Sequence, residues 1–261
     1  MRTIKKVASH IFIDGFGGMT QGLFATLIIG TMIQQIGLLI GGSTGNVIYL
    51  LGKAAAALTS ASIGVGVAVK YGESPLVTVS AAVAAMVGGY AGKITGGTFF
   101  VDGNAVLAGP GEPLGAFIAA FAGITCGHLV SGKTKVDIIV TPIITIGAGS
   151  VVGLLVGPPI SQMMTGLGSI INWATEQRPF IMGIVVSVVM GMVLTLPISS
   201  AALGIILNLS GLAAGAATIG CCCNMVGFAV ASYRENKFGG LVAQGLGTSM
   251  LQVPNIMRHP L

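Results

Sequence analysis

Apolar residues run along this chain in long blocks, and charge falls almost entirely between them. Between Asp14 and Lys53 lie 38 uncharged residues, and Asp137–Glu176 and Arg178–Arg234 bracket two further uncharged blocks. A spanning helix needs about 20 mostly apolar residues, so each block can hold at least one crossing. The pattern predicts spans over Phe16–Ile40, Val47–Val69, Leu76–Gly92, Pro113–Val130, Val136–Val156 and Phe180–Leu196. Further helix is expected through the Gly/Ala/Ser-rich stretch after Pro197 to Ala231, and an apolar, polar-spotted segment from Leu241. Gly41–Gly45 is expected to be a turn, Pro75 to occupy the first turn of its helix, and Lys93–Glu112 to be the longest polar interruption.

The stretch after Pro158-Pro159 differs in kind. Ile160, Met163, Met164, Leu167, Ile170, Ile171 and Ala174 recur at helical spacing, with Ser161, Gln162, Thr165, Ser169 and Asn172 between them and Trp173 near the end. That pattern predicts an amphipathic helix lying on the membrane, started by the two prolines. It joins a membrane half over residues 1–157, through a linker over 158–178, to a second half over 179–261.

The halves resemble one another. Ser74-Pro75-Leu76-Val77-Thr78-Val79-Ser80-Ala81-Ala82 aligns with Leu196-Pro197-Ile198-Ser199-Ser200-Ala201-Ala202, and each opens a small-residue helix. The expected fold is an all-α polytopic helical bundle of two pseudo-repeated halves, with about eight to ten membrane segments counting re-entrant hairpins.

Composition sharpens this picture. Charged residues make up 7% and the mean hydropathy is +0.94, against about 25% charge in a soluble domain. The 42 glycines would suggest disorder in water, but in lipid they let helices approach closely. The net charge of +5 comes from scattered loop residues, which argues against nucleic-acid binding. With a cytoplasmic N-terminus and about eight crossings, the positive-inside rule puts Arg2, Lys5, Lys6, Lys70, Lys133, Lys135, Arg234 and Lys237 inside, and Lys93 and Arg178 outside. No small-residue cleavage site follows the N-terminal basic residues, so the first helix is expected to be retained. Cys221, Cys222 and Cys223 are consecutive and Cys126 stands alone. Neither spacing suits a metal or a disulfide framework, so no metal and no cofactor is expected.

A few polar groups carry the candidate chemistry. Glu112, in Gly109-Pro110-Gly111-Glu112-Pro113 ahead of a span, is placed to accept hydrogen bonds from solute hydroxyls or to take up a proton. The bland alternative is a helix-dipole role. Ser199, Ser200, Asn208, Asn224, Gln244, Thr248, Ser249 and Gln252 supply neutral donors and acceptors suited to a small polar solute. Four of them fall between positions 244 and 252, and not all of these can face lipid. Lys53 reads as snorkelling near a span end, His128 as a capping residue, and Glu176 with Arg178 as an interfacial ion pair. The glycines of Gly109–Gly115 lack the lysine of a phosphate loop, and no HExxH motif or Ser/His pairing supports an intramembrane enzyme.

Several long motifs resemble one family. GEPLGAF (Gly111–Phe117), KTKVDIIVTP (Lys133–Pro142), VGPPI (Val156–Ile160), INWATE (Ile171–Glu176), LTLPISSAA (Leu194–Ala202) and YRENKFGGLVAQGLGTSMLQVPN (Tyr233–Asn255) are similar to stand-alone enzyme IIC-like permeases of the phosphotransferase system. The resemblance covers nearly the whole chain. It implies a transport protein of the bacterial plasma membrane, usually a homodimer, with solute held between a hairpin-like segment and the opposite half. Sequences of that family continue beyond the position of Leu261, so the second half is expected to be incomplete. The chain shows nothing like a soluble phosphoryl-carrier domain. Any phosphorylation would therefore need separate IIA and IIB partners. Transport is expected to proceed by alternating access, and the competing reading is a solute sensor that does not transport.

Overall fold

The computed structural model describes residues 14–107, 109–195, 204, 207, 209–247 and 249. The chain divides into two compact units, Met1–Met163 and Met164–Leu261.

The first unit opens with α1 (Phe16–Leu23), a π-helical turn (Phe24–Ile28) and α2 (Ile29–Ile40), which together make one apolar run of 25 residues. Its ends are those predicted. Only Gly41 interrupts the chain before α3 (Gly42–Ala57). The expected five-residue turn is therefore one residue, with φ 66°, a value glycine adopts without steric cost. The second span is not one helix. It is α3 followed by α4 (Thr59–Lys70), bent by 53° at Leu58.

Next comes α5 (Pro75–Gly89), capped by Ser74, whose hydroxyl accepts from the Val77 amide at 3.4 Å. Pro75 takes the first helical position, where its missing N–H costs nothing. The polar interruption then holds a short α6 (Ala91–Thr95) and a hairpin of β1 (Phe100–Val101) and β2 (Asn104–Ala105). Its tip, Asp102-Gly103, has φ of 50° and 76°, the positive-φ pair that Asp-Gly favours in two-residue hairpins. The span α7 (Pro113–Val130) follows, with the bounds read from the sequence.

The helix α8 runs from Asp137 to Gln177 with Pro142, Pro158 and Pro159 inside it. Pro158-Pro159 therefore do not end a span, contrary to the expectation. Each proline forfeits one i→i−4 bond, a loss that membrane helices absorb because neighbouring groups satisfy the freed carbonyls. Thr141 and Thr145 are buried while Ile138, Ile139, Ile143 and Leu155 are exposed. Polar groups point inward and large apolar ones outward, the arrangement a lipid surround demands.

Small residues let these helices touch backbone to backbone. A Cβ on Gly66 would press on the Gly18 carbonyl, one on Gly64 on the Ala81 carbonyl, and one on Gly88 on the Gly115 carbonyl. The buried core of the unit is accordingly rich in alanine, including Ala68, Ala81, Ala84, Ala85, Ala116, Ala119 and Ala120.

In the second unit, α9 (Pro179–Val193) packs on α10 (Gly211–Ala231). Val186, Met190 and Ala217 form its core, with Ile171, Leu209, Ala216 and Cys221 against them. The sequence predicts a charged loop at Tyr233–Lys237. The structure instead has α11 (Tyr233–Val242), with Lys237 alone non-helical (φ 52°, ψ −153°), and then a π-helical turn, Ala243–Gly247. Glu176 and Arg178 do not pair among the described residues. The Pro197 stretch, on which the internal repeat rests, lies outside the described residues.

The described residues thus form an all-α membrane protein. Four helices are long and apolar enough to cross a bilayer, or five with the broken pair counted, and Pro75–Gly89 and Pro179–Val193 are shorter apolar helices.

Candidate functional site

Two breaks in regular helix face each other in the first unit. At Leu58 (φ −86°, ψ 7°) the second span changes direction. Opposite it, the first span carries its π-helical turn. The Thr26 hydroxyl donates to the Gly22 carbonyl at 2.7 Å and lies 3.3 Å from the Thr59 hydroxyl. Thr59 donates to the Ala56 carbonyl at 2.6 Å, and the Tyr90 hydroxyl lies 3.2 Å from the carbonyl of Ala57. Breaking a helix strands carbonyls, and a stranded buried carbonyl is costly. Here side-chain hydroxyls satisfy them. Non-helical backbone inside a membrane protein persists only where protein or a cavity satisfies it.

The loop Gly109–Glu112 sits on this break. The Ser60 hydroxyl donates to the Pro110 carbonyl at 2.8 Å, the Tyr90 hydroxyl also bonds the Gly109 carbonyl, and the Glu112 amide donates to the Gly89 carbonyl at 2.7 Å. Gly111 has φ 76°, and a Cβ there would meet the Ser60 hydroxyl and stand 3.1 Å from the Gly89 carbonyl oxygen. Glycine is thus required twice over, by backbone angle and by space.

Glu112 caps α7. One carboxylate oxygen accepts from the Leu114 amide at 3.0 Å and the other from the Gly115 amide. This is the cap that an isolated reading of a carboxylate beside a helix start anticipates. Each oxygen keeps acceptor capacity beyond the one bond it makes, so the cap leaves Glu112 able to take a further donor.

The candidates of the second unit divide. Gln244 and Ser249 are buried, and the Asn224 side chain is half-buried with its amide oxygen enclosed. Among the described residues the Asn224 Oδ1, Gln244 Oε1 and Ser249 Oγ atoms have no hydrogen-bond partner, an arrangement natural proteins rarely leave without a purpose. Ser199, Ser200, Asn208, Thr248 and Gln252 lie outside the described residues. Among the described residues no group of acidic, histidine or cysteine side chains is arranged to hold a metal.

Sequence reasoning passed over Thr26, Thr59, Ser60 and Tyr90. The signal was present as hydroxyl residues inside apolar runs, each with a carbonyl to satisfy. Hydropathy averages such residues away.

The sequence profile described as "Phosphotransferase system, EIIC" matches residues 13–261. No curated protein and no solved structure matches the chain.

Proposed function

The chain belongs to the phosphotransferase system EIIC family, and we propose that this membrane permease moves a small polar solute, a sugar or related compound, by alternating access. The observation that carries the proposal is the Gly109–Glu112 loop seated on the broken second span, with a carboxylate at its end. Broken helices and irregular backbone at depth are how transporters build substrate sites. In this reading Glu112 accepts hydrogen bonds from solute hydroxyls through its remaining lone pairs. Asn224, Gln244 and Ser249 offer acceptors that no other described residue uses, and Ser199, Ser200, Thr248 and Gln252 add further neutral groups. The amphipathic part of α8 beyond Pro159 serves as the linker between the two halves. The protein works as a homodimer in the bacterial plasma membrane with its N-terminus in the cytoplasm, and separate soluble IIA and IIB components supply any phosphorylation.

The test is uptake into proteoliposomes. Purified protein is reconstituted and offered a panel of radiolabelled sugars, polyols and sugar derivatives. Saturable uptake of one class, abolished or weakened by Glu112→Asp, is the expected result. Saturable binding without flux would make the protein a sensor and remove the transport half of the proposal.

A further inference from the structure

Lys53 stands at the centre of a span, not near its end. Its helix α3 packs on α2 through glycines, and a Cβ on Gly30 would stand 2.8 Å from the Gly52 carbonyl oxygen. Gly52 is therefore level with Gly30. Within the 25-residue run Phe16–Ile40, Gly30 lies two residues past the midpoint, or about 3 Å at the helical rise. The neighbouring Lys53 thus has roughly 15 Å of hydrocarbon on either side, more than its four-carbon stem can span. At that depth Lys53 lies too far in to snorkel from a span end. Lys53 is exposed, and it has no ion-pair or hydrogen-bond partner among the described residues. An ionisable group at this depth faces a partner or water, not lipid.

The face it occupies carries a second polar group, with Leu50 between the two, 51% exposed, and leads to the site. Asn46, seven residues earlier and on the same side of the helix, is also exposed. One turn beyond Lys53 on that side is Ala57, whose carbonyl meets the Tyr90 hydroxyl that also holds Gly109. Another side of α3 carries Val47 and Leu51, 57% and 62% exposed, and suits lipid. The two polar groups of α3 thus stand in one row that ends at the Glu112 loop, on the side of the helix away from Leu51.

We propose that the Asn46–Lys53 face of α3 lines a water-filled path, and that Lys53 provides the cation that holds an anionic group on the solute. Water access stands by itself. The identification of the anion as solute rests on the permease reading above.

The experiment uses the full chain with Cys126, Cys221, Cys222 and Cys223 replaced by serine, reconstituted in liposomes. Single cysteines at Asn46 or Leu51 are exposed to membrane-impermeant methanethiosulfonates, one carrying a sulfonate and one a trimethylammonium group. Asn46→Cys should react and Leu51→Cys should not. Adding Lys53→Gln to Asn46→Cys should lower the sulfonate-to-ammonium rate ratio about fourfold or more, the effect of a unit charge roughly 10 Å away even in a watery surround. Lys53→Cys gives a second reading of water access should Asn46→Cys misfold, and it too should react. An unreactive path residue in folded protein, equal reaction at positions 46 and 51, or an unchanged ratio would overturn the proposal. Labelling as expected in a protein that takes up none of the panel would overturn the permease reading alone.

Discussion

The Glu73 carboxylate and the His128 imidazole meet at 3.0 Å, joining the turn between α4 and α5 to the last turn of α7. Beside them the Ser74 and Ser131 hydroxyls lie 2.9 Å apart. His128 therefore ties the end of α7 to the turn before α5, which the expectation of a helix cap missed.

This clasp should be weak. The imidazole is 70% exposed while the carboxylate is 9% exposed, and ion pairs with one wet partner contribute about 1 kcal/mol or less. A double-mutant cycle with Glu73→Gln and His128→Ala should give a coupling energy in that range that shrinks in high salt. A coupling above about 3 kcal/mol, the regime of buried pairs, would mean that the loop is closed over in the working protein.

Tyr90→Phe should destabilise the protein by about 1–3 kcal/mol. The single hydroxyl proton is shared between two carbonyls, Ala57 and Gly109, the latter closer, and its loss leaves a buried acceptor short of a donor. The ring stays and keeps its contact with Phe99 at 5.3 Å between centroids. Denaturation monitored alongside Tyr90→Leu separates the two contributions: only the leucine variant should also loosen the hairpin.

Gly111→Ala should cost more than about 1 kcal/mol, through strain at positive φ and through the clash with Ser60. Combining it with Ser60→Ala should recover part of that loss but not all, since the backbone angle is unchanged and the Pro110 carbonyl loses its donor. Full recovery would show that the loop can relax to another backbone conformation. Thermal melts of the two single variants and the double variant decide this.

How much of this was legible follows from what hydropathy measures. The ends of Phe16–Ile40 and Pro113–Val130 could be read because Gly41 and Glu112-Pro113 punctuate them with residues of known conformational preference. The bend at Leu58 could not, because α3 and α4 have one continuous apolar composition and the break lies in the axis. Pro158-Pro159 misled for a related reason: the rule that prolines end helices comes from water. The Asp102-Gly103 tip was readable as a hairpin but was submerged in a stretch classed only as polar. The depth of Lys53 needed the Gly30–Gly52 contact, a pairing no local pattern reveals. In the second unit Gln244 and Ser249 were singled out for polarity alone; they are buried, and the Gln244 Oε1 and Ser249 Oγ atoms have no partner among the described residues.

Glu112 has two roles to separate, and the cap decides which substitution separates them. Glutamine, nearly isosteric, is a poor choice. It replaces one acceptor oxygen with an NH₂ group that faces the amide N–H of Leu114 or Gly115, so Glu112→Gln breaks half the cap and should cost about 1–2 kcal/mol of stability whatever Glu112 does for solute. Aspartate is the better probe. It is a favoured N-cap residue and keeps both oxygens and the charge, but it draws the carboxylate back by one methylene. If Glu112 only caps, Glu112→Asp should be within about 1 kcal/mol of the parent in stability and unchanged in solute affinity. If the carboxylate also takes hydrogen bonds from solute, the withdrawn oxygens lose charge-assisted bonds, each about twice as strong as neutral ones. Affinity should then fall about tenfold, the equivalent of 1.4 kcal/mol, with stability retained. The expected outcome is the second: a protein that melts like the parent and binds its solute about ten times more weakly. Equal affinity in both would reduce Glu112 to a cap and leave Gln244 and Ser249 as the acceptors to test next.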